Sequence, residues 1–452
     1  MTVKELIARS KAAQAAFAFA TQEQADAAAR AICKVVYDNA EKLGPMAAEE
    51  SRMGSEQDKI AKCRNKSALI WESLKDKKSC DIINRIEERR MIEVAKPVGV
   101  VASIIPSTNP VVTPMSNGAF ALKCRNSVIF APHPRAVKCT KLLVEMFRAE
   151  LKKLGLPEDL VLGLEEVSND LTSELMSAAD MVVATGGMGM VKAAYSSGKP
   201  AIGVGQGNVQ CIIDEDADIA DAVGKIIIGR AFDNGLICLG EQTVFVPEDK
   251  EAEFVAEMKK QGGYLVEGEE NVDKLREGLF PGGGAFSRVV VGMFADQVSD
   301  EIGLGAPKGT RVLFAKAKAL GAGDVLCREK LCPVIAYMTY KTFKEGVAMM
   351  EANLEHEGKG HSIAVHSNTP ENVEYAAIRC CVSRVVVNQP SGTTGGGSPT
   401  NGFTPTTTLG CGTWGNNAIS ENLWFTHLMN VSRISYKVPD MYIPTDEEIW
   451  AD

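Results

Sequence analysis

The stretch DMVVATGGMGMVKAAYSSGKPAIGVGQGN, residues 180–208, decides the fold. Met181 to Thr185 is a short β-branched run that reads as a strand, and it opens directly into Gly186, Gly187 and Gly189. GMVKAAYSSGKP then reads as a helix stopped by Gly198 and Pro200. A strand, a glycine turn and a helix in that order aim unpaired backbone N–H groups and the positive helix end at an anion. The spacing departs from G-x-G-x-x-G, and a tight turn with no ligand would use the same residues. A second cluster, Gly203, Gly205 and Gly207, follows within twenty residues, and the pair favours phosphate binding.

Upstream the same texture repeats. MIEVAKPVGVVASIIP (91–106) is rich in Val and Ile and reads as strands of a buried sheet. NSVIFAPHP (126–134) is another strand, a helix spans 136–154, and LVLGLEE (160–166) is the next strand candidate. Strands alternating with helices of this length predict an α/β fold with a doubly wound parallel sheet. The first 90 residues read as polar helices, one ending at Gly44 and another over 56–76. Downstream of Asp214 the pattern starts again, with helices over 219–232 and 250–261 and the segments GGAFSRVVVG (283–292) and TRVLFAKA (310–317). QPSGTTGGGSPTNGFTPTTTLGCGTWG (389–415) has a linker's composition, but Phe403, Leu409, Cys411 and Trp414 argue for a packed loop closing over a site.

The chain has 452 residues, too many for one ordinary core. The net charge of −9 opposes a nucleic-acid surface, and no apolar run approaches the ~20 residues a membrane helix needs. Glu5 and Arg9 interrupt the N-terminus where a signal peptide would be apolar, so a cytoplasmic location is expected. Twelve cysteines and five histidines show no C-x-x-C pair and no zinc-like spacing, so no metal is expected and the thiols should be free. Most are then core fillers. Cys238, at the end of FDNGLIC after a helix and before a strand, lies beside Asn234 and Gly235, where a backbone can approach a ligand closely. The local sequence alone favours a buried structural cysteine over a reactive one. Asn109 sits in PSTNP, between prolines, where its amide either makes a turn or is presented to a developing oxyanion.

Taken in order, KPVGVV…P-x-TNP, NSVIFAPHPRA, ATGG-x-GMVKAAYSSGKPAIGVG-x-GN, FDNG-x-IC, EKLCPV, GKGH and TLGCGTWGNNAISEN make the chain resemble the aldehyde dehydrogenase family in its coenzyme-A-acylating branch. VVTPMSN, SRVVVNQP and the tail EEIW bring it nearest the acylating succinate-semialdehyde type. The resemblance implies a Rossmann-type cofactor domain, an α/β catalytic domain and a small oligomerisation element. The corresponding division is 1–215 for the N-terminal helices and cofactor domain, 216–412 for the thiol domain, and 413–452 for a segment returning to the cofactor domain and the oligomer interface.

The resemblance further implies Cys238 as nucleophile, Asn109 as oxyanion donor and His361 as the residue assisting CoA. Glu329 would hold the nicotinamide ribose, and Gly186, Gly187 and Gly189, with Thr185, Pro106, His133, Arg135 and Gly205, would contact the dinucleotide. Hydrolytic members carry a water-activating glutamate where Val204 stands here, and no carboxylate occurs from Pro200 to Ile213. An acyl-enzyme lacking that base should be released to a thiol such as coenzyme A. Ala131 and Pro134 replace the usual adenosine-ribose residues, with Arg135 and Lys138 nearby, so NADP is expected, with NAD as the alternative. Succinate semialdehyde is the expected aldehyde, followed by sulfoacetaldehyde and acetaldehyde. Arg384, Ser391, Thr393 and Thr394 are the candidates for its distal anion. A homodimer or homotetramer is expected. A phosphate-releasing reductase of the same fold, a nucleotide-binding protein with a dead site, and an N-terminal helix that docks to a microcompartment shell are the competing readings.

Overall fold

A computed structural model describes residues 1–439 and 441–451. Two parallel sheets carry the molecule. The first runs Val161–Gly163, Ser127–Ala131, Val100–Ile104, Met181–Thr185, Ala201–Val204 across its width, every pair parallel. Its central strands are buried on both faces, which is why Val100–Ile104 and Ser127–Ala131 are continuous small or apolar runs rather than alternating ones. The order reverses between Val100–Ile104 and Met181–Thr185, so the turns leaving those two strands open a crevice at their carboxyl ends.

The second sheet has seven parallel strands, in the order Gly263–Leu265, Val312–Lys316, Val334–Tyr340, Glu241–Pro247, Val209–Ile213, Gly360–His366, Val382–Val387. Val209–Ile213 pairs with Glu241–Pro247 and Gly360–His366, so the chain changes sheets within 205–208, ahead of the division expected at 215. Gly205 to Asn208 thus joins the carboxyl end of one sheet to the amino end of the other.

A third, antiparallel sheet lies outside both: Asp81–Ile86, Met91–Pro97 and Met429–Ser435. Met91–Pro97 was expected in the buried sheet. Its residues are mostly half-buried, and the chain enters the parallel sheet only after Gly99, whose φ of 118° turns it. Asp81–Ile86 was not expected at all, because its polar, mostly exposed residues lack an apolar alternation. GGAFSRVVVG forms no strand: it is a loop in which Gly292 accepts from Gly54 N–H and donates to the Leu331 carbonyl.

Four helices precede the sheets: Val3–Phe17, Gln22–Asp38, Ala40–Ser51 and Glu56–Leu74. Thr2 with Glu5, and Thr21 with Gln24, make reciprocal capping boxes that set the first two starts. Gly44 lies inside the third helix, because a Cβ there would crowd the Ile60 backbone and only glycine lets the two helices approach. Val3, Leu6, Ile7, Ala13 and Phe17 are buried, and Ser10 bonds Ser127 at 2.7 Å, so the apolar face of the first helix packs on the protein itself. One core joins these helices to the five-stranded sheet and to Leu409, Leu423, Phe425 and Leu428. No helix among the described residues is long and apolar enough to cross a membrane.

Candidate active site

The nucleophile candidate is placed by an unusual turn. After the helix Ile219–Ala231, residues Asp233, Asn234 and Gly235 have φ of 49°, 53° and 71°, three successive left-handed residues. Non-glycine residues resist that region, at a cost of order 1–3 kcal/mol each, so neighbours must hold them there. Asp233 is fully buried and forms ion pairs with Lys59 (3.2 Å) and Lys62, while Ser55 N–H donates to its Oδ1 (3.1 Å). Asn234 donates to the Gly292 carbonyl at 2.9 Å. A Cβ on Gly235 would lie 2.6 Å from the Cys332 carbonyl group, which fixes glycine there. The turn delivers Cys238 to the wall of a cavity of about 820 Å³. Of the twelve cysteines only Cys238 and Cys381 are not buried, and Cys238 alone lines this cavity.

His361, at the amino end of Gly360–His366, places Nε2 3.3 Å from Cys238 Sγ. It is fully buried behind the sulfur and is absent from the cavity wall. Burial, with the Arg384 charge adding to it, holds the imidazole well below its ordinary range, so it is neutral and free to accept a proton. Burial pushes the Cys238 thiol up to about 12, with Glu329 and Cys411 contributing. The resting pair is therefore thiol and imidazole rather than an ion pair, and deprotonation must accompany attack.

Asn109 lines the cavity from the turn after Val100–Ile104. Its Oδ1 accepts from Lys62 Nζ at 2.8 Å. Glu329 is the single acidic residue on the wall among the described residues; its Oε1 accepts from Gly207 N–H (3.1 Å), and burial raises its carboxyl to about 8. Thr185, Gly186, Gly187, Gly205, Pro106 and His133 also line the cavity. A Cβ on Gly187 would meet no atom within 4 Å, so that wall keeps open space beside the start of the helix Met188–Tyr195. The residues present fit a dinucleotide: the open start of the helix Met188–Tyr195 and the Glu329 carboxyl line the same cavity. Gly189 lies within the helix and Arg135 is exposed beside His133, both off the wall.

The structure reassigns several expected residues. The second glycine cluster packs partly on the protein itself, although Gly205 lines the cavity. Gly203 closes on Val191 and Tyr195, Gly205 on Met188, and a Cβ on Gly207 would sit 2.4 Å from the Cys238 carbonyl oxygen. Arg384 does not reach the cavity. It is 2% exposed, and its nitrogens donate to Ser362, Asn422 and the carbonyls of His361 and Gly410, so it braces the histidine. Ser391 is buried with its N–H on Glu241, whereas Thr393 and Thr394 do reach the wall. Val204 is buried at a strand end, so no side-chain carboxylate stands where a water-activating base would be.

Sequence reasoning missed Lys59, Lys62 and Lys66, which share one face of the helix Glu56–Leu74. The signal was present: three cations at i, i+3 and i+7 on a face that the neighbouring Cys63 and Ile70 mark as inward. Lys66 lines the cavity and donates to the Gly396 carbonyl at 2.8 Å; burial, then Lys62, lowers its ammonium to about 8.

The model of the aldehyde dehydrogenase family matches residues 1–274. The chain is 49% identical to a succinate-semialdehyde dehydrogenase (acetylating) of Clostridium kluyveri over 450 residues, covering 100% of this chain and 99% of that one. It is 41% identical to a sulfoacetaldehyde dehydrogenase of Acholeplasma, over 99% and 93% of the two chains. Among solved structures, an acetylating aldehyde dehydrogenase from Geobacillus thermoglucosidasius superposes with a TM-score of 0.94 at 36% identity over 98% of both chains. A Rhodopseudomonas palustris propionaldehyde dehydrogenase with bound CoA and an acylated cysteine gives 0.85 at 26% over 96% and 97%. An engineered glycolyl-CoA reductase with bound NADP+ gives 0.85 at 26% over 96% of both. The chain belongs to the aldehyde dehydrogenase family. Within that family it is an acylating aldehyde dehydrogenase, the kind these full-length relatives represent.

Proposed function

We propose that the protein interconverts a short acidic aldehyde and its acyl-CoA, with succinate semialdehyde and succinyl-CoA as the pair. Cys238 Sγ bonds to the aldehyde carbon while its proton passes to His361 Nε2. The oxyanion that forms is held by the Asn109 amide and the Cys238 N–H. A bound NADP supplies the hydride acceptor, and an acyl group is left on the sulfur. The CoA thiol then adds to that thioester, the bond to Sγ breaks, and acyl-CoA leaves. The observation that carries this reading is the pairing of a cavity-lining thiol with a neutral histidine and no carboxylate base at Val204, which favours a sulfur nucleophile over water.

Lys66, with Thr393 and Thr394, replaces Arg384 as the group that meets the distal anion, because these residues do line the cavity. The names of the Clostridium and Acholeplasma relatives, both acting on anionic aldehydes, support that choice. Pro132 to Arg135 carry no carboxylate, and Glu50 is engaged with the N–H groups of Lys138 and Cys139; this supports NADP, with NAD as the alternative. The exposed Ile82, Ile434 and Tyr436 on and beside the antiparallel sheet support a homodimer or homotetramer.

Initial rates with succinyl-, sulfoacetyl-, acetyl- and propionyl-CoA, each with NADPH and NADH, test the assignment. Succinyl-CoA with NADPH should have the highest kcat/KM. Lys66→Met should lower kcat/KM for succinyl-CoA about tenfold or more and spare propionyl-CoA. Equal loss on both substrates would refute the distal-anion role. Rapid release of free carboxylic acid without CoA would refute thiol transfer.

A further inference from the structure

An asparagine amide can present either its oxygen or its nitrogen to a cavity, and only the nitrogen end can stabilise an oxyanion. What decides the matter for Asn109 lies outside the turn that carries it. Lys62 Nζ stands 2.8 Å from one end of the amide, and an ammonium cannot accept a hydrogen bond, so that end is Oδ1. Nδ2 is thereby turned away from Lys62, and its one hydrogen-bond partner among the described residues is Thr108 Oγ1, at a long 3.5 Å. Its N–H groups remain free for a ligand.

Lys62 is itself held. It is buried, as is Lys59, and both pair with Asp233, which is fully buried. Asp233 is also the first left-handed residue of the turn that delivers Cys238. One carboxylate thus anchors the backbone that aims the nucleophile and, through Lys62, the amide that faces the developing charge. The ammonium draws electron density toward Oδ1, which strengthens Nδ2–H as a donor.

We propose that Lys62, held by Asp233, is a positioning residue that fixes which end of the Asn109 amide faces the reacting carbonyl. The inference rests on Asn109 being the oxyanion donor, and its test separates the two claims. The full-length enzyme is compared with Lys62→Met, Asn109→Ala and the double variant, using succinyl-CoA and NADPH for turnover and iodoacetamide for the free thiol. Asn109→Ala should lower kcat roughly a hundredfold or more, the scale of one lost oxyanion donor. Lys62→Met should lower kcat roughly tenfold to a hundredfold with KM little changed, since only the transition-state charge is affected. The double variant should be no slower than Asn109→Ala, and Cys238 alkylation should proceed at the same rate in all four proteins.

If Asn109→Ala alone keeps full kcat, the oxyanion reading falls and the Lys62 role with it. If Asn109→Ala is slow while Lys62→Met turns over normally, only the Lys62 role falls. It also falls if the two losses multiply, or if alkylation slows in Lys62→Met, because the lysine would then act on the turn rather than the amide. Should Lys62→Met fail to fold, Lys62→Arg carries the test. It keeps a donor that cannot accept and is expected to hold kcat within about fivefold; a folded Lys62→Arg as slow as Asn109→Ala overturns the proposal.

Discussion

The turn that presents Cys238 and the turn that follows Met181–Thr185 face the same cavity, yet they are held in opposite ways. The first is over-determined: left-handed Asp233, Asn234 and Gly235 are pinned by two lysines, by Ser55 N–H, by the Gly292 carbonyl and by the Cys332 backbone. The second is bare, with no protein atom within 4 Å of a Cβ on Gly187. Bond-making needs reacting atoms fixed before the substrate arrives, whereas a dinucleotide brings its own bulk and needs only donors and room. The protein therefore spends buried charge on one wall and leaves empty space on the other.

Removing the sulfur should break the comparison most completely. Cys238→Ala is expected to lose activity by about four orders of magnitude or more, read as NADPH oxidation with succinyl-CoA, while circular dichroism stays native. Activity within tenfold of the parent would end the assignment. Adding a side chain to each wall sharpens the contrast. Gly235→Ala combines a positive φ with a backbone clash and should cost about 2–4 kcal/mol in unfolding by denaturant. Gly187→Val should leave stability nearly untouched and raise KM for NADPH about tenfold, through bulk where a ligand belongs. The reverse pattern would show that the walls had been assigned the wrong way round.

The last test concerns pH. A thiol raised to about 12 is protonated throughout the physiological range, so its thiolate fraction grows about tenfold per unit below that value. Iodoacetamide labelling of Cys238 should therefore climb about tenfold per unit from pH 7 to 10 without a plateau. A plateau below pH 8 would instead mean a preformed thiolate–imidazolium pair, and the neutral-histidine description would be wrong.

The strands Val100–Ile104, Ser127–Ala131, Val161–Gly163 and Met181–Thr185 and the helices Val137–Lys153 and Met188–Tyr195 were legible because each is a local pattern, whereas the wholly buried helix Val112–Lys123, the helix Asn169–Ala178 and the strand Ala201–Val204 were not read. Cys238, Asn109 and Glu329 were legible through family likeness rather than through local sequence, and the fold then placed all three on one cavity. The lysine–aspartate cluster was not, because a lysine in a polar helix reads as solvated until its partner, 171 residues away, is known. Gly207 was misjudged for a related reason. A glycine-rich string looks alike whether it makes room for a phosphate or, as here, for the backbone of a cysteine packed against it from a distant segment. Arg384 was misread because sequence cannot tell a cation on a wall from one whose donors are already occupied.

The antiparallel sheet links the middle of the chain to its end, since Met91–Pro97 is flanked on one side by Met429–Ser435. The strands of both parallel sheets are all made by residue 387, while the antiparallel sheet still lacks Met429–Ser435 and the core around the five-stranded sheet still lacks its Leu409–Leu428 part. The core around the first-made sheet thus closes only after those residues arrive. Pairing across more than 300 residues should make that closure the slow step of maturation and the point at which a C-terminal truncation exposes adhesive surface to aggregation.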